Sequence, residues 1–142
     1  MEVNSLEQLS KTKLAILDDK FIEYQSVDRD ISRRKFELTY PWTPSVEHVG
    51  GRSAGITKPQ ERLYEMFDSD IRLTYLYRLK AECERAIERF DDEQLEIYQL
   101  RYTTDNYHGW DEVGDLLHYG HTTIYRKRYA LLNILAKESG LI

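Results

Sequence analysis

All three prolines of this 142-residue chain, Pro41, Pro44 and Pro59, fall between residues 40 and 59. Proline fixes φ and lacks a backbone donor, so it breaks helix interiors and central strands alike. Outside that stretch nothing forbids long helices, and apolar residues recur at helical spacing on both sides of it. Leu14, Leu17, Phe21, Tyr24 and Ile31 approach a three-four alternation, with Leu38 one heptad beyond Ile31. Leu73, Leu76, Leu79, Cys83, Ala86, Ile87 and Phe90 make a second stripe, with Arg72, Arg78, Glu82, Arg85 and Arg89 mostly off it. No stretch alternates with the period of two that a strand requires. The expected fold class is all-α.

This pattern predicts four parts: an amphipathic helix within 1–39, a Pro/Gly-rich loop at 40–59, a second long helix at 60–90, and a C-terminal domain at 91–142. Ser5 and Gln8 have capping-box spacing for the first helix, and Pro41 and Pro44 end it. Asp28 and Lys35 interrupt its seam, so packing on another helix or a short dimer seam fits better than a long coiled coil. The second helix has a potential restart at Asp68–Asp70, where an acid can cap a new segment. Within the loop, "GGRSAG" lacks the Gly-Lys-Ser/Thr ending of a phosphate-binding loop and follows no strand, so a hinge is the default reading.

Composition bounds the function classes. Hydrophobic residues are 41% and charged ones 32%, enough for a core without apolar surplus. No apolar run approaches the ~18 residues of a membrane span. The N-terminus has neither the basic start nor the apolar block of a signal peptide, and the expected location is cytoplasmic. Cys83 is the only cysteine, so no intrachain disulfide forms. On its apolar stripe it reads as a small buried residue rather than a nucleophile. His108, His118 and His121 lack a carboxylate or cysteine at ligand spacing, so neither metal nor cofactor is expected. The run Asp91-Asp92-Glu93 reads as a capped helix start whose acids complement the helix dipole, rather than as paired catalytic carboxylates.

Net charge is −5, yet its distribution is uneven. From Asp91 to His118 eight acids face Arg101 alone, whereas from Tyr119 to Ile142 four bases (Arg126, Lys127, Arg128, Lys137) face Glu138. So abrupt a sign change points to a one-sided surface. Here "WDEVGDLL" predicts a short helix, Trp110–Leu117, burying Trp110, Val113, Leu116 and Leu117. "HYG" makes a three-residue connection, and a last helix runs from about His121 to Glu138, stopped by Gly140. Two short helices so joined, the second basic, have the layout of a helix-turn-helix. Gly114 supplies the small residue where the helices cross, and Ile124, ten residues on, the branched apolar one.

At ~100° per residue, Leu131 and Leu135 fall within about 20° of Ile124 on the last helix. Thr122, Arg126, Tyr129 and Asn133 fall on the far side. Lys127 and Arg128 flank the core stripe, placed for phosphates or for acids of a neighbouring helix. The candidate DNA-binding residues are therefore His121, Thr122, Thr123, Tyr125, Arg126, Lys127, Arg128 and Tyr129. Arg126 is the first base-reading candidate, since arginine can bond guanine through two contacts. Tyr98, Tyr102 and Trp110 are expected to form the core beneath this helix.

From Tyr40 onward the sequence resembles the RinA-type phage transcriptional regulators, which activate late genes. The resemblance rests on "YPW" at 40–42, "GGRS" at 50–53, "LRY" at 100–102, Trp110, "TTIYRKR" at 122–128 and the close "LAKESGLI". The C-terminal half is also similar to the sigma-factor region that reads an upstream promoter element. Where such motifs often place a glycine in the turn this chain has His118, and where a serine usually caps the recognition helix it has Gly120. The resemblance implies promoter DNA as ligand, host RNA polymerase as a partner, the bacterial host cytoplasm as location, and no catalysis. Arg52 in "GGRS" is a second contact candidate, to DNA or to protein.

If Arg126, Lys127 and Arg128 all meet phosphate, log K should fall against log salt with a slope of about −2.7, from roughly −0.9 per contact. That is a weak anchor on an acidic chain. Occupancy then calls for a homodimer through the N-terminal helices or for polymerase. The expected function is a sequence-specific DNA-binding activator of phage late genes; the alternative is a DNA-packaging component resembling a small terminase subunit.

Overall fold

The computed structural model describes residues 9–41, 58–104 and 108–142. It is all-helical, and among the described residues there is no strand. The described residues form seven α-helices, in order α1 Lys11–Tyr24, α2 Val27–Thr39, α3 Pro59–Ser69, α4 Ile71–Glu88, α5 Asp92–Tyr98, α6 Trp110–Leu116 and α7 His121–Ser139. Helix α5 runs on into a π-helical turn, Gln99–Thr103. The expected Ser5–Gln8 capping box and most of the 40–59 loop, Arg52 included, lie outside the described residues.

The helix expected across residues 1–39 is two helices. Ser10 caps the first, its side chain accepting from the N–H of Lys13. The break follows from a side chain captured by tertiary structure. Gln25 Nε2 donates to the carbonyl of Phe21 at 3.0 Å and to the Tyr98 hydroxyl at 2.7 Å. The N–H groups of Gln25 and Ser26 drop to carbonyls three residues back, closing the turn. Asp28 and Asp30 then stand in the first turn of α2, where the dipole favours them.

The helix expected over 60–90 is likewise interrupted, at Asp70. This residue is extended (φ −76°, ψ 124°), and its carboxylate accepts from the N–H of Leu73 at 2.9 Å, starting α4. Pro59 opens α3 at a position where no amide donor is needed.

The chain divides into two compact units, one of residues up to Ser26 with Leu79–Ile142, the other Val27–Arg78. Position 91 is therefore not a packing boundary: the C-terminal helices share a unit with α1 and the later part of α4. In that unit Leu14, Leu17 and Phe21 are buried with Leu79, Cys83, Ala86, Ile97, Val113, Ile124, Leu131 and Leu135. Of the two readings of this seam, packing on another helix or a short dimer contact, the structure shows the first for Leu14, Leu17 and Phe21. Phe21 sits among Phe90, Tyr98 and Tyr102, with ring centroids 5.9, 5.4 and 5.2 Å away, and Tyr102 meets Trp110 edge-on. Cys83 is fully buried, and desolvation pushes its thiol up to about 12, which keeps it protonated and inert. Glu82, expected off the stripe, is buried beside Lys20 at 3.6 Å.

In the second unit Val27, Ile31, Leu73 and Leu76 are buried. Arg34 binds Asp70 through Nη2 at 2.7 Å and Nε at 3.0 Å. Helix α3 contributes no buried residue, while Phe36 on α2 is 63% exposed and Ile71 at the start of α4 is 85% exposed.

Candidate nucleic-acid interface

Helices α6 and α7 cross at Gly114. A methyl placed there would lie 3.0 Å from Ile124 Cγ2 and 3.3 Å from the carbonyl oxygen of Tyr119. Glycine lets α7 approach this closely without displacing those atoms, in keeping with the Gly114/Ile124 spacing. The turn between them is a Schellman motif. Tyr119 N–H donates to Gly114 O at 2.8 Å, and His118 N–H to Asp115 O at 3.2 Å. His118 adopts φ +65°, the left-handed conformation usually left to glycine. The histidine thus occupies the turn glycine's place in conformation as well as in sequence.

Helix α7 begins at His121 with Gly120 as an extended cap. Ile124, Leu131, Leu132 and Leu135 face the core. On the opposite side His121, Thr122, Tyr125, Arg126 and Tyr129 line one shallow concavity of ≈ 520 Å³. Five of the eight residues read from sequence therefore share one surface. Thr123 is exposed but does not line it. The His121 ring stacks on Tyr125 at 4.5 Å, and its Nδ1 lies 2.8 Å from Asp111 Oδ1. Tyr129 Oη accepts from the N–H of Leu9 at 3.1 Å, tying the C-terminal part of this face to the chain before α1.

The other two bases separate. Lys127 Nζ lies 3.1 Å from Glu93 Oε1 and 4.9 Å from the centre of the Tyr119 ring. The Tyr119 hydroxyl donates to the same carboxylate, and these two bonds hold Glu93 below the usual carboxylate range. Of the two roles open to Lys127, the structure shows support of a neighbouring helix's acid. Arg128 stacks over Tyr125 with its guanidinium carbon 4.7 Å from the ring centre. Its Nε is buried and has no hydrogen-bond partner among the described residues, a donor whose desolvation costs about 1–3 kcal/mol until something accepts from it.

Two core residues expected over 110–117 are not buried: Leu117 is half-buried and Leu116 is on the surface. Leu116 is 49% exposed, because it sits about 120° round α6 from Trp110 at ~100° per residue. Trp110, Val113 and Gly114 form the buried side.

Sequence reading missed a second feature of the same unit. A cleft of ≈ 580 Å³ is lined by Lys11, Asp18, Arg101, Trp110, Tyr125 and Arg128, among others. Arg101, on the π-helical turn, is buried. It pairs with both oxygens of Asp18, donates to the carbonyl of His108 at 2.9 Å, and lies over Trp110 at 5.0 Å. The Tyr102 hydroxyl also donates to Asp18. The signal available in sequence was Arg101 itself, the lone base among eight acids.

Among the described residues no group of three or more His, Cys, Asp or Glu side chains could hold a metal ion. His108 faces Glu112 and His121 faces Asp111 instead. No described helix is long and apolar enough to cross a membrane.

Fold and site together define an all-helical protein that presents the first turns of a long helix through a tight helix–turn–helix crossing. Over residues 11–137 the chain matches the family described as protein of unknown function DUF722, and it belongs to that family. No curated protein and no solved structure matches it.

Proposed function

We propose that this protein binds double-stranded promoter DNA through α7 and acts as a sequence-specific transcriptional activator of phage late genes, working with the host's RNA polymerase in its cytoplasm. The observation that carries the DNA-binding part is the crossing at Gly114. It holds α7 tightly against α6 while Arg126 and the rings of His121 and Tyr125 face outward in one concavity. An α-helix so exposed at its N-terminal turns is the element that enters a major groove. The activator role rests on the resemblance in "TTIYRKR" and "GGRS" and on the small basic face, which calls for a partner. The reading assigns the chain no catalytic step.

Footprinting on the late promoter region, paired with run-off transcription, tests both halves. We expect a protected site and raised polymerase output. Arg126→Ala should cut the preference for that site over a scrambled duplex by about tenfold to a hundredfold, the worth of one bidentate guanine contact. Unchanged polymerase output removes the activator role, and equal binding to any duplex removes Arg126 as a base reader.

The second reading, a DNA-packaging subunit, is favoured by the apolar side chains left exposed in the Val27–Arg78 unit, among them Phe36, Tyr40, Tyr64 and Ile71. A packaging subunit would form rings of more than two copies, which mass measurement in solution distinguishes from a dimer.

A further inference from the structure

The cleft beside the outward face of α7 brings together groups whose chemistry that face does not use. Lys11 and Arg128 line it with Arg101 and Asp18, and Trp110 and Tyr125 give it aromatic walls. Arg101 and Asp18 bind each other, which leaves the charges of Lys11 and Arg128 in excess. Tyr125 lines both this cleft and the base-facing concavity, so the two are neighbours. The Arg128 guanidinium lines the cleft while stacked on Tyr125, its Nε meets no acceptor among the described residues, and a guanidinium pre-stacked on a ring is suited to bind a phosphate through planar, paired bonds. Lys127, the other flanking base, is occupied by Glu93.

We propose that this cleft is a phosphate seat in which Lys11 and Arg128 hold a backbone phosphate of the DNA strand flanking the bases read by Arg126. The inference rests on the DNA-binding reading and adds α1, through Lys11, as a second DNA-contacting element. It moves the anchoring role from the pair Lys127 and Arg128 to the pair Lys11 and Arg128. Phosphate chemistry alone would also suit a free phosphate or pyrophosphate ion, so the test has two arms.

The first arm measures the salt dependence of binding to a promoter duplex for the full chain. Lys11→Gln and Arg128→Gln should each flatten the slope by about 0.9, and together by about 1.8, with site preference unchanged. Lys127→Gln should leave the slope as it is. Slopes unchanged in both Lys11→Gln and Arg128→Gln overturn the proposal, and Lys11→Gln alone is decisive if Arg128→Gln fails to fold.

The second arm uses Trp110, which walls the cleft, as a reporter in a Trp42→Phe background. Pyrophosphate is titrated at constant ionic strength. A saturable fluorescence change lost in Arg128→Gln is expected, and a flat response overturns the seat. If the wild-type chain binds no DNA, the DNA-binding reading fails, and with it backbone phosphate as the source. The pyrophosphate response then decides whether the cleft is an anion site at all. Pyrophosphate binding with unaltered DNA slopes likewise overturns the DNA source and reassigns the cleft to a small anion.

Discussion

A single missing methyl sets the position of the proposed recognition helix. At Gly114 an added Cβ meets Ile124 Cγ2 at 3.0 Å and Ile124 Cβ at 3.1 Å, and the third neighbour is backbone, the Tyr119 carbonyl at 3.3 Å. Ile124 is fully buried, so the few tenths of an ångström that an added methyl needs must come from packed core atoms or from backbone. Gly114→Ala should therefore destabilise the chain by about 1–3 kcal/mol, the cost of forcing volume into a packed core, despite alanine's better helix propensity. Gly109→Ala is the control, because nothing lies within 4 Å of its added Cβ. Thermal unfolding of both variants checks this. An equal or smaller loss in Gly114→Ala would show that the crossing is looser than these contacts require. This contact was legible in the sequence, since a glycine and a branched residue at fixed separation carry their own steric reason. The Arg101–Asp18 pair was not: its partners lie 83 residues apart, and no local pattern couples them.

The helices themselves were readable from apolar period and caps: Asp91 caps α5 as expected, in a capping box with Gln94. Their interruptions were harder. The break at Asp70 had a local signal, an acid at a restart, whereas the break after Tyr24 depends on Gln25 reaching Tyr98, which sequence does not reveal. Leu116 shows the opposite error, an apolar residue assigned to a core that the helical angle turns away from it. The Asp70 junction also carries a pH dependence. Its hydrogen bonds to the Arg34 guanidinium, and then to the Leu73 N–H, hold its carboxyl at about 2, against 3.8 ordinarily. The folded form thus releases this proton more readily than the unfolded chain does. Its stabilising contribution is full above the ordinary carboxylate range and is lost as pH falls through about 2. Acid unfolding of wild type and Asp70→Asn, followed by circular dichroism, should give curves that differ most near neutrality and converge toward pH 2. Parallel curves would mean that the Arg34–Asp70 contact does not persist in solution.

For the whole molecule, charge and exposed apolar surface argue in the same direction. On the proposed DNA-binding reading, a chain of net charge −5 with one small basic face, and with Lys127 held by Glu93, would have little non-specific grip, since each phosphate contact adds only a modest salt-dependent increment. Two linked copies reading two half-sites turn weak grips into a strong one, because the second contact forms at high effective concentration. The seam of Leu14, Leu17 and Phe21 is not available for that linkage, being buried in its own chain. Phe36 and Tyr40 are available. They stand one turn apart at the end of α2, their rings 5.0 Å from each other and both largely exposed. A second copy meeting them would place the expected homodimer contact on α2, within the N-terminal helices. Sedimentation across a concentration series should show reversible dimerisation. The double change Phe36→Ser with Tyr40→Ser should weaken it by tenfold or more, on the order of 1.4 kcal/mol. Unfolding temperature should stay close to wild type, because neither ring is buried. DNA binding should fall in the same variant on a two-half-site duplex and hold on a single half-site. A wild-type chain that stays monomeric at every concentration, or a double variant that dimerises as well as wild type, would remove α2 as the linkage.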